Sequence, residues 1–126
     1  MSLFERLPDG RLQSVERYFE TMNGNVPPMT VEREQAVDEM VKKLHVAFPP
    51  AVASIERVDD DGALVRIKPG QKVGERWVIR QARAHGLPAP TWLGREGVIH
   101  GQWQLLGLWR MSEKVMRRQL SQEVKL

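Results

Sequence analysis

The chain has 126 residues, the usual length of one domain, and carries a net charge of +3 at neutral pH. Hydrophobic residues make up 41% and charged residues 28%, a composition that excludes a disordered or fibrous chain. The absence of cysteine excludes a disulfide framework, a thiol nucleophile and a zinc–thiolate site. No apolar stretch approaches the length of a membrane span, and no apolar signal core follows Met1. We therefore expect a single cytoplasmic domain over residues 1–126.

The charged residues are divided unevenly between the two halves of the sequence. Residues 1–62 contain seven Lys/Arg and twelve Asp/Glu, a net charge of −5, whereas residues 63–126 contain twelve and four, a net charge of +8. We therefore distinguish an acidic helical half, 1–50, from a basic half, 51–126, which holds all four tryptophans. This division indicates a polyanionic partner or head-to-tail association, unless the two halves neutralise each other within one domain.

Two helices are predicted in the acidic half. The first carries an apolar residue every three or four positions, at Leu12, Val15, Phe19 and Met22. Asp9 is placed to cap its start, and Asn23-Gly24 supplies a left-handed stop. The second begins after the N-cap Thr30. Its apolar stripe predicts a core-facing side, made of Val37, Met40, Val41, Leu44 and Phe48.

A β-hairpin is predicted after Pro50. Residues Val52–Val58 and Ala63–Lys68 flank the turn sequence Asp59-Asp60-Asp61-Gly62. In the second strand, three apolar residues share one face: Ala63, Val65 and Ile67. The turn superficially resembles a calcium loop. Gly70, however, stands where the bidentate glutamate of such a loop is required, so we expect no calcium site.

The remaining elements are less regular. Val73–His85 is predicted as a helix, because His85-Gly86 resembles a helix end, although Trp77-Val78-Ile79 favours a strand. Alternating apolar and polar residues predict a long half-buried strand over Val98–Arg110, with a bulge or second strand where Leu106–Trp109 breaks the alternation. We interpret the neighbouring glycines as turns or bulges: Gly94, Gly97, Gly101 and Gly107. Ser112 is predicted to cap a last helix, with Met111 and Met116 as a hydrophobic staple.

These elements are grouped by type, which predicts an α+β fold. We expect a small antiparallel sheet, formed by the hairpin and one longer strand, with three to four helices packed on one side. The sequence contains no internal repeat and no low-complexity run.

Basic side chains in the second half form the strongest candidate site. Arg76, Arg80 and Arg83 are spaced i, i+4, i+7, so a helix would present them on one face, where phosphates could bind. The full predicted nucleic-acid-binding set comprises Arg66, Lys68, Lys72, Arg76, Arg80, Arg83, Arg110, Lys114, Arg117 and Arg118. The alternative is that these cations form the solvated faces of two amphipathic helices. No zinc-finger spacing, RNP aromatic pattern or basic zipper accompanies them.

The tryptophans admit three interpretations: stacking on unpaired bases, anchoring a protein interface, or filling the core. We predict that Trp92 and Trp109 serve an interface or stacking role, and that Trp92, which follows a Pro-rich loop, is the most exposed. Trp103 fits the inward phase of its strand and is expected in the core.

Catalysis finds little support in the sequence. His45, His85 and His100 lack the mutual spacing of metal ligands, and a site formed by His85, Glu96 and His100 would require the fold to bring them together. We therefore expect no cofactor and no metal. The leading hypothesis is a non-enzymatic module that contacts nucleic-acid phosphates with limited sequence preference. The alternatives are a protein-interaction or self-assembling module that uses its complementary halves, and an enzyme of unknown reaction.

Overall fold

A computed structural model describes residues 3–24, 28–99 and 102–111 of the chain. These residues form six strands and three helices, which agrees with the predicted α+β class. In chain order the elements are β1 (Phe4–Arg6), β2 (Leu12–Ser14), α1 (Val15–Met22), α2 (Val31–Ala47), β3 (Ala53–Val58), β4 (Gly62–Ile67), α3 (Glu75–Ala84), β5 (Trp92–Ile99) and β6 (Gln102–Arg110).

The strands form one mixed sheet in the order β1-β2-β3-β4-β6-β5. Strand β2 runs parallel to β3, whereas the other neighbouring pairs are antiparallel. The predicted small antiparallel sheet with three to four helices on one side is therefore wrong. The prediction missed β1 and β2 because strands of three residues are too short to show alternation. It missed β5 because glycines within this strand were interpreted as turns.

The sheet curls into a half-barrel that brings its two edge strands together. The rings of Phe4 in β1 and Trp92 in β5 make an edge-on contact, with centroids 6.4 Å apart. Beside them, the Leu3 amide donates a hydrogen bond of 3.3 Å to Glu96 Oε1. A small apolar core fills the inside of the curl, formed by Leu12, Val58, Leu64, Leu106 and Leu108.

The larger core lies on the other face of the sheet, beneath α2 and α3. The predicted stripe of α2 is confirmed, since Val37, Met40, Leu44 and Phe48 are fully buried and Val41 packs against them. Thr30 is confirmed as N-cap, because its hydroxyl accepts a hydrogen bond of 3.1 Å from the Arg33 amide. The hairpin is confirmed as β3 and β4, and its predicted inward residues join this core: Ala63, Val65 and Ile67.

The prediction for the first helix is partly wrong. Leu12–Ser14 is strand β2, and Ser14 rather than Asp9 caps α1 by accepting a hydrogen bond of 3.0 Å from the Arg17 amide. Of the predicted apolar stripe, Leu12 lies in the small core as part of β2, but Phe19 and Met22 do not face the core, because α1 turns Arg17 towards the protein instead. Phe19 is left 57% exposed.

The predicted strand over 98–110 is also partly wrong. Its first residues belong to β5, and β6 pairs with β5 as an antiparallel hairpin. The residues that break the alternation remain in β6, because both faces of this strand are buried: Leu106 and Leu108 lie inside the curl, and Leu105 and Trp109 lie in the larger core. Gly97 lies at the register shift of β5 with a φ of 65°, which confirms a bulge at this position.

Helix α3 confirms the helical interpretation of residues 73–85. It buries Val78 and Ala82 in the larger core, and Gly86 follows its C-terminus in the left-handed conformation with a φ of 73°. The predicted last helix, from Ser112 onward, lies outside the described residues. None of the three helices in the described part of the chain is long and apolar enough to cross a membrane.

Candidate functional site

Helix α3 presents the predicted row of arginines to solvent. Because Val78 and Ala82 anchor one side of the helix in the core, Arg76, Arg80 and Arg83 project from the opposite side. At about 100° per residue, the three arginines fall within an arc of roughly 60°. All three side chains are exposed.

Two lysines precede this row in the chain. Lys68 and Lys72 lie in the connection between β4 and α3, and both are exposed. We call the set of Lys68, Lys72, Arg76, Arg80 and Arg83 the basic face. The Lys43 ammonium of α2 lies near Gly86, 4.0 Å from the position that a Cβ of this glycine would take, and so adds a cation near the C-terminus of α3.

The five cations of the basic face make no ion pair with any residue in the described ranges. Elsewhere in the same ranges, the structure pairs most Lys and Arg side chains with a carboxylate, namely Arg6, Arg11, Arg17, Arg33, Lys42, Arg57, Arg66 and Arg110. Residues 68–85 contain only one acidic side chain, Glu75. Within the described ranges, the basic face is thus a positive surface that no carboxylate neutralises by an ion pair.

Arg66 does not join the basic face. Its guanidinium lies 2.9 Å from Glu56 Oε2, and the same carboxylate binds Arg6 at 2.6 Å. The hydrogen bond from Arg6, together with the nearby Arg66, lowers the pKa of Glu56. Arg66 therefore helps to hold β1, β3 and β4 together.

Arg110 belongs to a second group of charged residues, where β6 ends. We call this group the charge cluster; its members are Glu16, Arg17, Glu20, Arg33, Asp59, Asp60, Asp61 and Arg110. Arg110 Nη1 lies 2.8 Å from Glu16 Oε2, and its Nε lies 3.5 Å from Asp61 Oδ1. Burial lowers the pKa of Arg110, but Asp61, Glu16 and the other carboxylates together raise it further than burial lowers it.

Asp61 lies at the centre of the charge cluster. Its Oδ2 accepts hydrogen bonds of 2.6 Å from Arg17 and 2.7 Å from Arg33, and all three side chains are at most 6% exposed. The two arginines come from α1 and α2, whereas Asp61 comes from the turn between β3 and β4. One carboxylate therefore connects two helices to the sheet.

Asp59 occupies the first position of this turn, with a φ of 56°. Its carboxylate accepts hydrogen bonds from the Ser14 amide at 3.0 Å and the Ser14 hydroxyl at 2.9 Å. Burial raises the pKa of Asp59, although Ser14, Arg110 and Arg17 oppose this effect. Asp59 also lines a cleft of about 140 Å³, together with Leu7, Arg11, Leu12, Gln13, Arg17, Thr21 and Asp60.

Several buried atoms of the charge cluster lack a hydrogen-bond partner among the described residues: Arg17 Nε, Arg17 Nη1, Glu20 Oε2 and Asp61 Oδ1. Three of them are nevertheless close to opposite charges, since Arg17 Nε is 3.4 Å from Glu20 Oε2 and Asp61 Oδ1 is 3.5 Å from Arg110. The cluster therefore depends on charge attraction as well as on aligned hydrogen bonds. Sequence reasoning missed the charge cluster. The available signal was the run of three aspartates in a tight turn, because carboxylates that become buried, as Asp59 and Asp61 do, require nearby cations.

The tryptophans lie in different surroundings from those predicted. Trp109 is fully buried, packs against Phe48 and donates its indole N–H to the Pro88 carbonyl at 2.9 Å. Trp92 is half-buried at the closure of the half-barrel rather than exposed. A buried ring cannot stack on a base without opening of the core. The side chain of Trp103 is outside the described part of the structure.

Of the three histidines considered in the sequence, two lie within the described residues. His45 is exposed on α2, His85 Nδ1 lies 2.9 Å from the Gln81 carbonyl, and His100 lies outside the described residues, as do Lys114, Arg117 and Arg118. Within the described ranges, no group of three or more His, Asp or Glu side chains is arranged to hold a metal ion. Comparison of the chain with models of protein families, with curated proteins and with solved structures found no match.

Proposed function

We propose that the protein binds nucleic acid through the basic face, by contacts to phosphates and with little sequence preference. The observation that carries this proposal is the concentration of exposed cations on α3 and the segment before it, which make no ion pair with any described residue. Exposed guanidinium groups suit phosphate oxygens, to which they donate paired hydrogen bonds. Each phosphate neutralised in this way releases condensed counterions, which favours binding at low salt.

The dimensions of the basic face suit a nucleic-acid backbone. Arg76 and Arg83 are seven residues apart, which corresponds to about 10 Å along the helix axis. Double-stranded DNA carries one phosphate charge per roughly 1.7 Å of its axis, so several phosphates lie within this distance. The long side chains of Arg76, Arg80 and Arg83 can therefore contact separate phosphates while the backbone of α3 stays in place.

The surroundings of the basic face favour phosphate contacts over base reading. The nearest aromatic side chain on α3, Trp77, packs against Phe48 with ring centroids 5.9 Å apart and is partly buried. Recognition of unpaired bases depends on exposed aromatic rings, and sequence reading in a groove depends on side chains matched to base edges. Helix α3 thus presents its arginines without an exposed aromatic ring of its own, which supports binding that depends on charge.

The proposal is tested by charge reversal of the basic face. The triple variant Arg76→Glu, Arg80→Glu, Arg83→Glu is compared with the parent by fluorescence anisotropy, using labelled duplex and single-stranded DNA and RNA over a range of salt concentrations. If three phosphate contacts are lost, the slope of log K against log salt becomes less steep by about 2.7. We expect affinity at low salt to fall by at least about tenfold, because removing phosphate contacts weakens binding to all sequences alike.

The matched control is the triple variant Arg11→Glu, Lys42→Glu, Arg57→Glu. It changes the net charge by the same amount, but it alters exposed cations that are already paired with carboxylates. We expect it to retain most of the parental affinity and slope. An equal loss of binding in both variants would show that net charge alone governs binding. Absence of binding by the parent at low salt would refute the proposal.

A further inference from the structure

Helix α1 exposes its apolar side. Tyr18, Phe19 and Met22 are 47%, 57% and 69% exposed, and they fall within an arc of roughly 100° that also includes the half-buried Val15. The buried residue of this helix is Arg17, on the other side. We call Val15, Tyr18, Phe19 and Met22 the α1 apolar face. Contiguous exposed apolar side chains of this kind mark a surface that another segment or molecule covers.

We infer that residues 112–126 of the same chain cover the α1 apolar face. The first support is the place where the described chain ends. Met111 is fully buried, and its amide donates a hydrogen bond of 2.7 Å to the Asp61 carbonyl in the charge cluster. The preceding Arg110 lies 2.8 Å from Glu16 of α1. Residues 112–126 therefore start beside the helix that they would cover.

The second support is the apolar pattern of the segment. Met116, Leu120 and Val124 are spaced i, i+4, i+8, so a helix would align them in one stripe. Fifteen residues in helical form extend about 22 Å, whereas the eight residues of α1 extend about 12 Å. The segment is long enough to lie along the whole of the α1 apolar face.

The third support is charge. Residues 112–126 contain four cations and two carboxylates, Lys114, Arg117, Arg118, Lys125, Glu113 and Glu123. The charge cluster behind α1 contains five carboxylates and three arginines. The segment is therefore net positive and the cluster net negative, so attraction orients the segment towards α1. In this arrangement the C-terminal cations lie beside the acids of α1 rather than on the basic face.

Cysteine reactivity tests the inference in the 126-residue chain, which has no cysteine of its own. A single cysteine is introduced as Met22→Cys on the α1 apolar face or as Val46→Cys on α2, a site that is 66% exposed. Each variant is reacted with a water-soluble maleimide. The rate of cysteine modification in the folded protein is divided by the rate for the same variant in denaturant. If the segment covers Met22 and opens only transiently, we expect the Met22→Cys variant to react at least about tenfold more slowly than the Val46→Cys variant.

A second pair of variants identifies what covers the face. Met116→Glu with Leu120→Glu should remove the protection at position 22 and leave position 46 unchanged. Ser121→Glu with Gln122→Glu adds the same charge at polar positions of the segment and should preserve the protection.

Three results would overturn the inference. Equal rates at positions 22 and 46 would show that nothing covers the face. Protection that increases with protein concentration would show that a second copy covers it. Equal loss of protection in both double variants would show that the apolar stripe of the segment does not make the contact.

Discussion

Asp61 illustrates how much a single side chain contributes when it is buried among charges. It accepts hydrogen bonds from Arg17 and Arg33, and no other carboxylate in the described part of the chain lies within 3.0 Å of either guanidinium. Among the described residues, the Asp61 carboxylate is the nearest counter-charge to both guanidinium groups, and removing one partner of a buried ion pair is strongly destabilising. Asp60 precedes Asp61 in the turn. Its side chain is 47% exposed, and its Oδ1 lies 3.4 Å from Arg17 Nη2.

This difference predicts unequal effects of two neighbouring substitutions. Asp61→Ala should lower the free energy of unfolding by about 3–5 kcal/mol, because it leaves two buried guanidinium groups without their shared acceptor. Asp60→Ala should lower it by about 0–1 kcal/mol, because an exposed ion pair contributes little. Urea unfolding followed by circular dichroism measures both. Similar losses in the two variants would show that the charge cluster does not stabilise the fold through Asp61.

Sequence reasoning could place the exposed arginines but not the buried ones. Arg76, Arg80 and Arg83 follow a helical period, so their common face was predictable before the structure was known. Arg17 and Arg110 were not, because their partners come from the distant turn at Asp59–Asp61, and a single sequence does not reveal such long-range pairing. A charged residue is usually exposed, which made the apolar side of α1 the expected core side.

At the level of elements, tryptophan and glycine occur together on the strands. In β6, Gly107 and Trp109 are two residues apart and therefore on the same face. A Cβ at Gly107 would lie 2.6 Å from Trp109 Cζ3 and 3.0 Å from Cη2, so the absence of a side chain makes room for the ring. In β5, Gly94 and Trp92 have the same relation, with a closest approach of 2.7 Å. These two glycines mark ring contacts rather than the predicted turns or bulges.

The contact in β6 predicts a coupling between its two residues. Gly107→Ala should lower the free energy of unfolding by about 1–3 kcal/mol, because the added methyl forces the buried indole to move. In a Trp109→Phe background, where the ring is smaller, the same substitution should cost less or even stabilise the strand by about 0.5–1 kcal/mol. A double-mutant cycle by chemical denaturation measures the coupling. Additive effects of the two substitutions would contradict the proposed contact.

An element could be predicted from the sequence when the residues within its own segment were enough to specify it. Helix α2 was predictable because its cap Thr30 and its stripe lie within one segment. Strands β1 and β2 have three residues each, too few to show a period, and β2 joins the sheet through the distant pairing of Leu12 with Val58. The sequence Leu106–Trp109 obscured the alternation of β6, because a strand buried on both faces has no polar face.

At the scale of the whole molecule, the acidic residues of the first half and the cations of the basic face differ in how they are paired. Most acidic residues of the first half are paired within the molecule, namely Asp9, Glu16, Glu20, Asp38, Glu39, Glu56, Asp59, Asp60 and Asp61. The basic face, by contrast, makes no ion pair with any described residue. The two halves of the sequence therefore neutralise each other only in part, and the surplus is positive.

This asymmetry distinguishes the nucleic-acid proposal from self-assembly through complementary halves. Head-to-tail association would require a free acidic surface to receive the basic face of a second copy, but most of the acids are already engaged inside their own molecule. We therefore expect the protein without nucleic acid to sediment as a monomer of 14.5 kDa at both low and high salt. Sedimentation velocity at about 10 mM and about 1 M salt covers Debye lengths from roughly 30 to 3 Å, a range over which attraction between exposed charges is lost. An oligomer at low salt that dissociates at high salt would instead support self-assembly. In that case the Arg76→Glu, Arg80→Glu, Arg83→Glu variant should remain monomeric at both salt concentrations.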